Sequence, residues 1–439
     1  MPALPVPASV ALLVVLFLVQ DRPIDCATWA ECREQAQAAA AAEDYERFHD
    51  LAWLAVRKGP RNHPELMLML ARAQSLSGRP LDALVMLRRL ADLGVATNAA
   101  IDEDFRRVRA LPGWADLERA VAGLPPAASP AAPEPTAAAA APGAKVTVVP
   151  PPPVVVVGGK PASPGAGGVE LLRFRAPPFT PAGLAYDHVS RRFIVGDRRG
   201  QRLAVIDEFS HQLSTLAGAR GPGFGDLAAL EIDPRDGTLW VISQPDQGSR
   251  LHKLQLISAR SLAIFEPPGV TPPARFVDVA LAERGTVLVL DAGARRILRL
   301  PSGGVALQVS NRLGDRVPHS IAPAAGNVAY VAHDTGLARL EIGGGEAADV
   351  KAPGDVMLTG LVRVRWHDRS IVGIQKTTTG HRAVRLRLAR DGRSVTALDV
   401  LDADIETADP SAASLVADAL YYLAPGEEGM VIRRVALRE

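Results

Sequence analysis

The sequence predicts a multidomain protein: an all-α helical domain and an all-β six-bladed propeller, joined by a disordered Pro/Ala-rich linker. Three observations carry this. Residues 28–122 place apolar side chains at helical spacing, residues 123–168 are dominated by Pro, Ala, Val and Gly, and from residue 169 onward one strand–turn–strand phrase recurs. The recurrence is plain in "RFIVGDRRGQRLAVID" (192–207) and "TVLVLDAGARRILRL" (286–300), which align without a gap, Asp197 over Asp291.

The totals set bounds. A chain of 439 residues, 48% apolar, buries a large core and divides into more than one domain. With 49 basic against 48 acidic residues and a net charge of +1, it lacks the electrostatic footprint of a nucleic-acid binder. The run "SVALLVVLFLVQ", Ser9 to Gln20, has signal-peptide length and is short for a membrane span. No basic residue precedes it and no small-x-small site follows, so residues 1–20 read as a signal peptide or an uncleaved anchor. An alternative start to the chain is the plainer reading. Export to the periplasm, with membrane contact only through residues 1–20, is the expectation.

Residues 21–122 form the expected helical domain. Cys26 and Cys32 match neither a redox motif nor a zinc set. In one straight helix they would stand roughly 9 Å apart, beyond the ~7 Å disulfide limit. Thr28-Trp29-Ala30-Glu31, however, reads as a capping box. That places Cys26 outside the helix and permits a disulfide across its start; two inert thiols are the alternative. Downstream, Leu66, Leu70 and Ala73 mark one helix and Leu84, Leu87 and Leu90 a second, parted at Gly78-Arg79-Pro80. Ala71, Gly78, Ala83, Leu87 and Leu90, with an earlier copy in Tyr45, Phe48, Ala52, Ala55 and Pro60, resemble tetratricopeptide helix pairs. Gln74 departs from the pattern, which has an aromatic residue there. The resemblance implies a groove for a peptide or partner helix. A helical hairpin used as a spacer is the other reading.

Residues 123–168 cannot bury enough apolar surface to offset their ordering entropy. They predict a linker that holds two domains apart.

Residues 169–439 contain six copies of the phrase, with first strands centred near Val195, Val241, Val289, Val331, Gly373 and Tyr422, about 42 to 49 residues apart. A shorter apolar stretch precedes each. This period with several strands per unit is that of a propeller blade. The sixth copy runs out of chain before an outermost strand, whereas "VELLRFRA" (169–176) is a strand without a blade. The N-terminal strand is therefore expected to complete the last blade and close the ring, removing open sheet edges.

Phrases such as "AGLAYDHVSRRFIVGD" resemble the six-bladed senescence marker protein, gluconolactonase and NHL-repeat family, over about the last 270 residues. The resemblance implies a divalent metal in the central channel, held by a Glu, two Asn and an Asp. This sequence puts Ala182, Val277, His319 and Thr359 at those places and keeps Arg275 and Asp278 beside them. Hard cations want several oxygen ligands, so no cofactor is expected, with at most a weak divalent metal. A second expectation is geometric. The start of each inner strand and the turn after the second strand reach one rim, gathering Asp197, Asp226, Arg275, Asp278, Asp291, His319, His333, Asp334 and Lys376. These residues read as a ligand or peptide site; His319 and His333 with Asp278 or Asp334 would make a zinc set. For Asp197, Asp291 and Asp334 the plainer reading is a turn role, since Asp bonds its own backbone. The function expected is that of an exported, noncatalytic binding or assembly scaffold with a cell-envelope protein, peptide or small-ligand partner. A lactonase-like hydrolase with an atypical channel site is the alternative.

Overall fold

The computed structural model describes residues 26–122 and 167–437, apart from a few scattered loop positions. The apolar run 9–20 and residues 123–166 lie outside the described residues. No described helix is long and apolar enough to cross a membrane.

Four helices come first: α1 (Trp29–Ala41), α2 (Tyr45–Lys58), α3 (Pro64–Leu76) and α4 (Pro80–Asp92), each packed on the next. Thr28 caps α1, accepting the Glu31 amide at 3.2 Å, while the Glu31 carboxylate reaches back to the amide of Ala27 at 2.8 Å. The Glu31 donor at the helix start and the Ala27 amide just before the cap are thereby met, a capping box whose return bond lies one residue early. The cap brings Cys26 back over the helix, and its sulfur is joined to that of Cys32 with the Cα atoms 5.2 Å apart. α3 and α4 both start on a proline, where the missing amide costs no hydrogen bond. Trp29 and His63 put their rings 5.7 Å apart. The short α5 (Arg106–Arg109) and α6 (Trp114–Val121) then close over α4, with Phe105, Val108 and Leu117 buried.

The remainder is six four-stranded antiparallel sheets. Five blades are consecutive in sequence, their inner strands being Pro181–Asp187, Asp226–Ile232, Phe276–Leu281, Pro318–Ala324 and Leu361–His367. The sixth is composite. Its inner strand is Ala413–Val416, and its outer edge is Val169–Phe174, paired antiparallel with Gly429–Ala436. The ring closes as its strand inventory predicts. The blade begins earlier than expected, because Gly168 donates its amide to Asp402 at 2.7 Å and accepts from Arg433 at 3.1 Å. Gly167 and Gly168 belong to the propeller edge and not to the linker.

One expectation is corrected outright. The helical domain is not held apart from the propeller; it packs on blades 1 and 2, and a single apolar cluster runs through both. The Trp53 indole lies over Gly237, where a Cβ would come within 2.7 Å of the ring. Gly237 also has a φ of +69°, so two independent reasons require glycine. Arg57 donates to the carbonyl of Pro234, and Arg89 donates to that of Val189 at 2.8 Å. Trp53 is nearly buried, a gain of about 1.5–3 kcal/mol for a large apolar side chain. Docking stabilises both units because neither covers this surface alone.

Candidate functional site

The inner strands line a central channel with an upper mouth at their starts and a lower mouth at their ends. The helical domain sits at the lower end, against the turns at 188–191 and 233–237.

The repeated aspartates build the upper turns. Asp197 accepts the amides of Thr180 (3.1 Å) and Gly200 (3.2 Å), and its other oxygen takes Arg202 Nε at 2.9 Å. Asp291 repeats this with Arg275 (2.9 Å), Gly293 (3.1 Å), Ala294 (3.2 Å) and Arg296 (2.9 Å). Asp334 accepts from Val317 at 3.1 Å, which lowers its pKa. These carboxylates fasten the start of an inner strand to the following turn.

The inner strands of blades 1 to 5 each contain a register irregularity near their start. Counted from the residue facing each strand centre, the corresponding positions above are Ala182, Ala228, Val277, His319 and Val362. Blade 5 therefore presents Val362 and not Thr359; the sequence alignment is displaced there by three residues. Ala228, Val277, His319 and Val362 line an upper recess of about 250 Å3 together with Arg275, Arg198 and Asp409. Partial burial lowers the His319 pKa; Asp334 opposes this and Arg275 adds to it.

His333 does not join His319. It is buried, with Nδ1 3.1 Å from Thr335 Oγ1 and Nε2 3.4 Å from Asp349 on the outer strand. Burial lowers its pKa, against the pull of Asp349. The zinc set is therefore not assembled, and among the described residues no three His, Cys, Asp or Glu side chains converge as a metal site. Asp226 and Lys376 are exposed on the rim.

Asp278 lies below the rim, fully buried. Burial alone would raise its pKa, but Arg363 and Arg365 hold it at about 2. Arg363 Nη1 is 2.5 Å from Oδ1, and Arg365 Nη1 is 3.0 Å from Oδ2. The Ser320 hydroxyl and the Ile321 amide donate to the same carboxylate at 2.6 and 3.0 Å. Arg365 also donates to Glu231 at 2.9 Å, and Arg363 Nε to the carbonyl of Ala413 at 3.2 Å. Five blades are thus tied through one paired cluster that leaves Asp278 no lone pair for a metal or proton transfer.

Below this cluster the lower mouth opens as a cavity of about 640 Å3. Ala185, Glu231, Ala280, Pro323, Arg365 and Ser414 line it, one from each inner strand, and Trp53 and Arg57 of α2 wall one side. Sequence reasoning missed Arg363, Arg365, Glu231 and Ser320. The signal was present: "LVRVRW" places two arginines with period 2 in an otherwise apolar inner strand, hence on one face.

No protein-family model and no curated protein matches this chain. Among solved structures, virginiamycin B lyase from Staphylococcus aureus is 12% identical with a TM-score of 0.41, over 58% of this chain and 95% of that one. A gluconolactonase from Xanthomonas campestris is 12% identical with a TM-score of 0.44, over 61% and 88%. The PQQ-bound aldose sugar dehydrogenase from Streptomyces coelicolor is 14% identical with a TM-score of 0.43, over 62% and 99%. What these proteins share with this chain is the propeller fold; so distant a likeness assigns no activity.

Proposed function

We propose that this chain is an exported, noncatalytic binding and assembly scaffold, recognising a cell-envelope protein, peptide or small ligand at the lower mouth of its propeller. The observation that carries this reading is that all six inner strands and α2 wall the 640 Å3 mouth together. Its size lies in the range of ligand-binding clefts. The paired Asp278 cluster supports a role without catalysis, since a general acid or base needs a free proton site within reach of substrate. The tetratricopeptide resemblance of the helices supports a protein partner. The apolar run at 9–20 and the Cys26–Cys32 bond support an oxidising compartment.

The test places a photo-crosslinking residue at Val416, which lines the mouth, in the full chain expressed in its native cell. A discrete adduct that disappears when Trp53→Ala removes one wall is the expected result. Lactone turnover by the full chain that depends on added calcium, manganese or zinc would replace this reading with the hydrolase.

A further inference from the structure

A second pocket, away from the channel, lies in the seam between the helical domain and blade 2. It has a volume of about 180 Å3, equivalent to about six waters of liquid. Gln74 and Asp82 from the helices and Gln255 from the propeller line it, with Trp53. All four side chains are more than nine-tenths buried. In each, one polar atom has no hydrogen-bond partner: Gln74 Oε1, Asp82 Oδ1, Gln255 Nε2 and Trp53 Nε1. Buried polar atoms are normally paired, so four around one small space is unusual. The Gln255 amide is fixed in orientation, because Oε1 accepts from Ser258 at 2.8 Å and Arg260 at 3.2 Å, leaving the NH2 group as the unpartnered end. The unpartnered atoms around the pocket are thus two acceptors and two donors.

Its charge is unbalanced. Glu46 is matched by Arg79 at 2.6 Å. That leaves Asp50, Asp82 and Asp236 facing Lys253, whose ammonium sits 5.4 Å over the Trp240 ring. Asp50 is held by His49 at 2.9 Å, and Asp236 accepts the amide and hydroxyl of Thr238. Arg192, Arg79 and Arg260 all act on Asp82 from a distance but are committed elsewhere, Arg192 to Asp187 and the carbonyl of Leu256, Arg79 to Glu46, and Arg260 to Gln255. Asp82 therefore has no cation of its own. Burial raises its pKa to about 7, and burial likewise raises that of Asp236.

We propose that this interdomain pocket binds a small primary amine that also carries an oxygen acceptor. The ammonium meets Asp82 and Gln74, and the oxygen meets Trp53 and Gln255. A bare metal ion is disfavoured because two of the four groups are donors. Gln74, the residue that breaks the tetratricopeptide pattern, thereby acquires a use. Because the pocket needs both domains, the amine would also fasten them together.

Calorimetry on the full chain at pH 7 tests this with 4-amino-1-butanol, 1,4-butanediol and calcium chloride. The amino alcohol is expected to bind one-to-one, at least tenfold tighter than the diol, with proton release seen as a dependence of the heat on buffer ionisation enthalpy. Asp82→Asn should weaken binding at least tenfold while the protein still melts cooperatively. Should that variant fail to fold, Gln74→Leu is expected to weaken binding as well. Equal binding of amine and diol, tighter binding of calcium, no saturable heat, or affinity unchanged in the folded variants would overturn the proposal.

Discussion

Removing the negative charge of Asp82 should stabilise the protein at neutral pH and do almost nothing in acid. The carboxyl is 3% exposed at the docking seam, and burial moves its pKa from 3.8 to about 7. Between those values the folded chain holds a proton that the unfolded chain has released, so stability falls as pH rises. At about 1.4 kcal/mol per pH unit, the gap amounts to about 4 kcal/mol, fully developed above pH 7. Asp82→Asn has the same shape as the protonated acid and does not titrate. Urea unfolding of both proteins from pH 4 to pH 8, without added amine, followed by tryptophan fluorescence and helical circular dichroism, isolates this group because all others cancel. Near pH 4 the two should coincide. At pH 8 the variant should be more stable by about 4 kcal/mol, less whatever the pocket relaxes. Parallel pH profiles would refute the argument, and would mean that Asp82 is solvated or paired.

Deleting Val169–Phe174 should expose the edge of Gly429–Ala436 and cause aggregation or a large fall in melting temperature; an unchanged melt would contradict composite closure. Arg363→Met should cost about 3–5 kcal/mol, since it strips a buried carboxylate of one partner, measured by chemical denaturation. Gly237→Val should undock the helices by colliding with Trp53, read as a rise in radius of gyration by small-angle scattering. Cleavage at a protease site inserted between residues 123 and 166 should leave two fragments that co-elute on gel filtration, separating only in the Gly237→Val background. Calcium, manganese and zinc should show no site tighter than millimolar by calorimetry, about 4 kcal/mol; micromolar zinc binding lost in His319→Ala would restore the metal hydrolase.

The propeller was legible because its constraint is local and repeated. Each blade needs the same apolar strands and the same Asp-led turn, so Asp197 and Asp291 stand in matching phrases, and the unpaired strand at 169 announces how the ring closes. The α1 cap was legible for a similar reason: Thr28 and Glu31 meet within one turn. Residues facing the channel were harder to place. In blade 5 Thr359 belongs to the turn before the inner strand, three residues ahead of Val362, and nothing local in the apolar run marks where that strand starts. Asp278 looked like a rim residue, yet its fate depends on Arg363 and Arg365, more than eighty positions away.

Sequence by itself determined the helices, the six blades and the composite closure, because these follow from periodicity and residue chemistry along the chain. Only the tertiary structure decided that the helices dock on blades 1 and 2, that His333 turns to Asp349 and away from His319, and that Asp82, Gln74, Gln255 and Trp53 surround one pocket. Such outcomes are set by which surfaces meet once the chain is folded. An exposed-looking Asp in the first turn of a helix carries no mark of the propeller strand that will bury it.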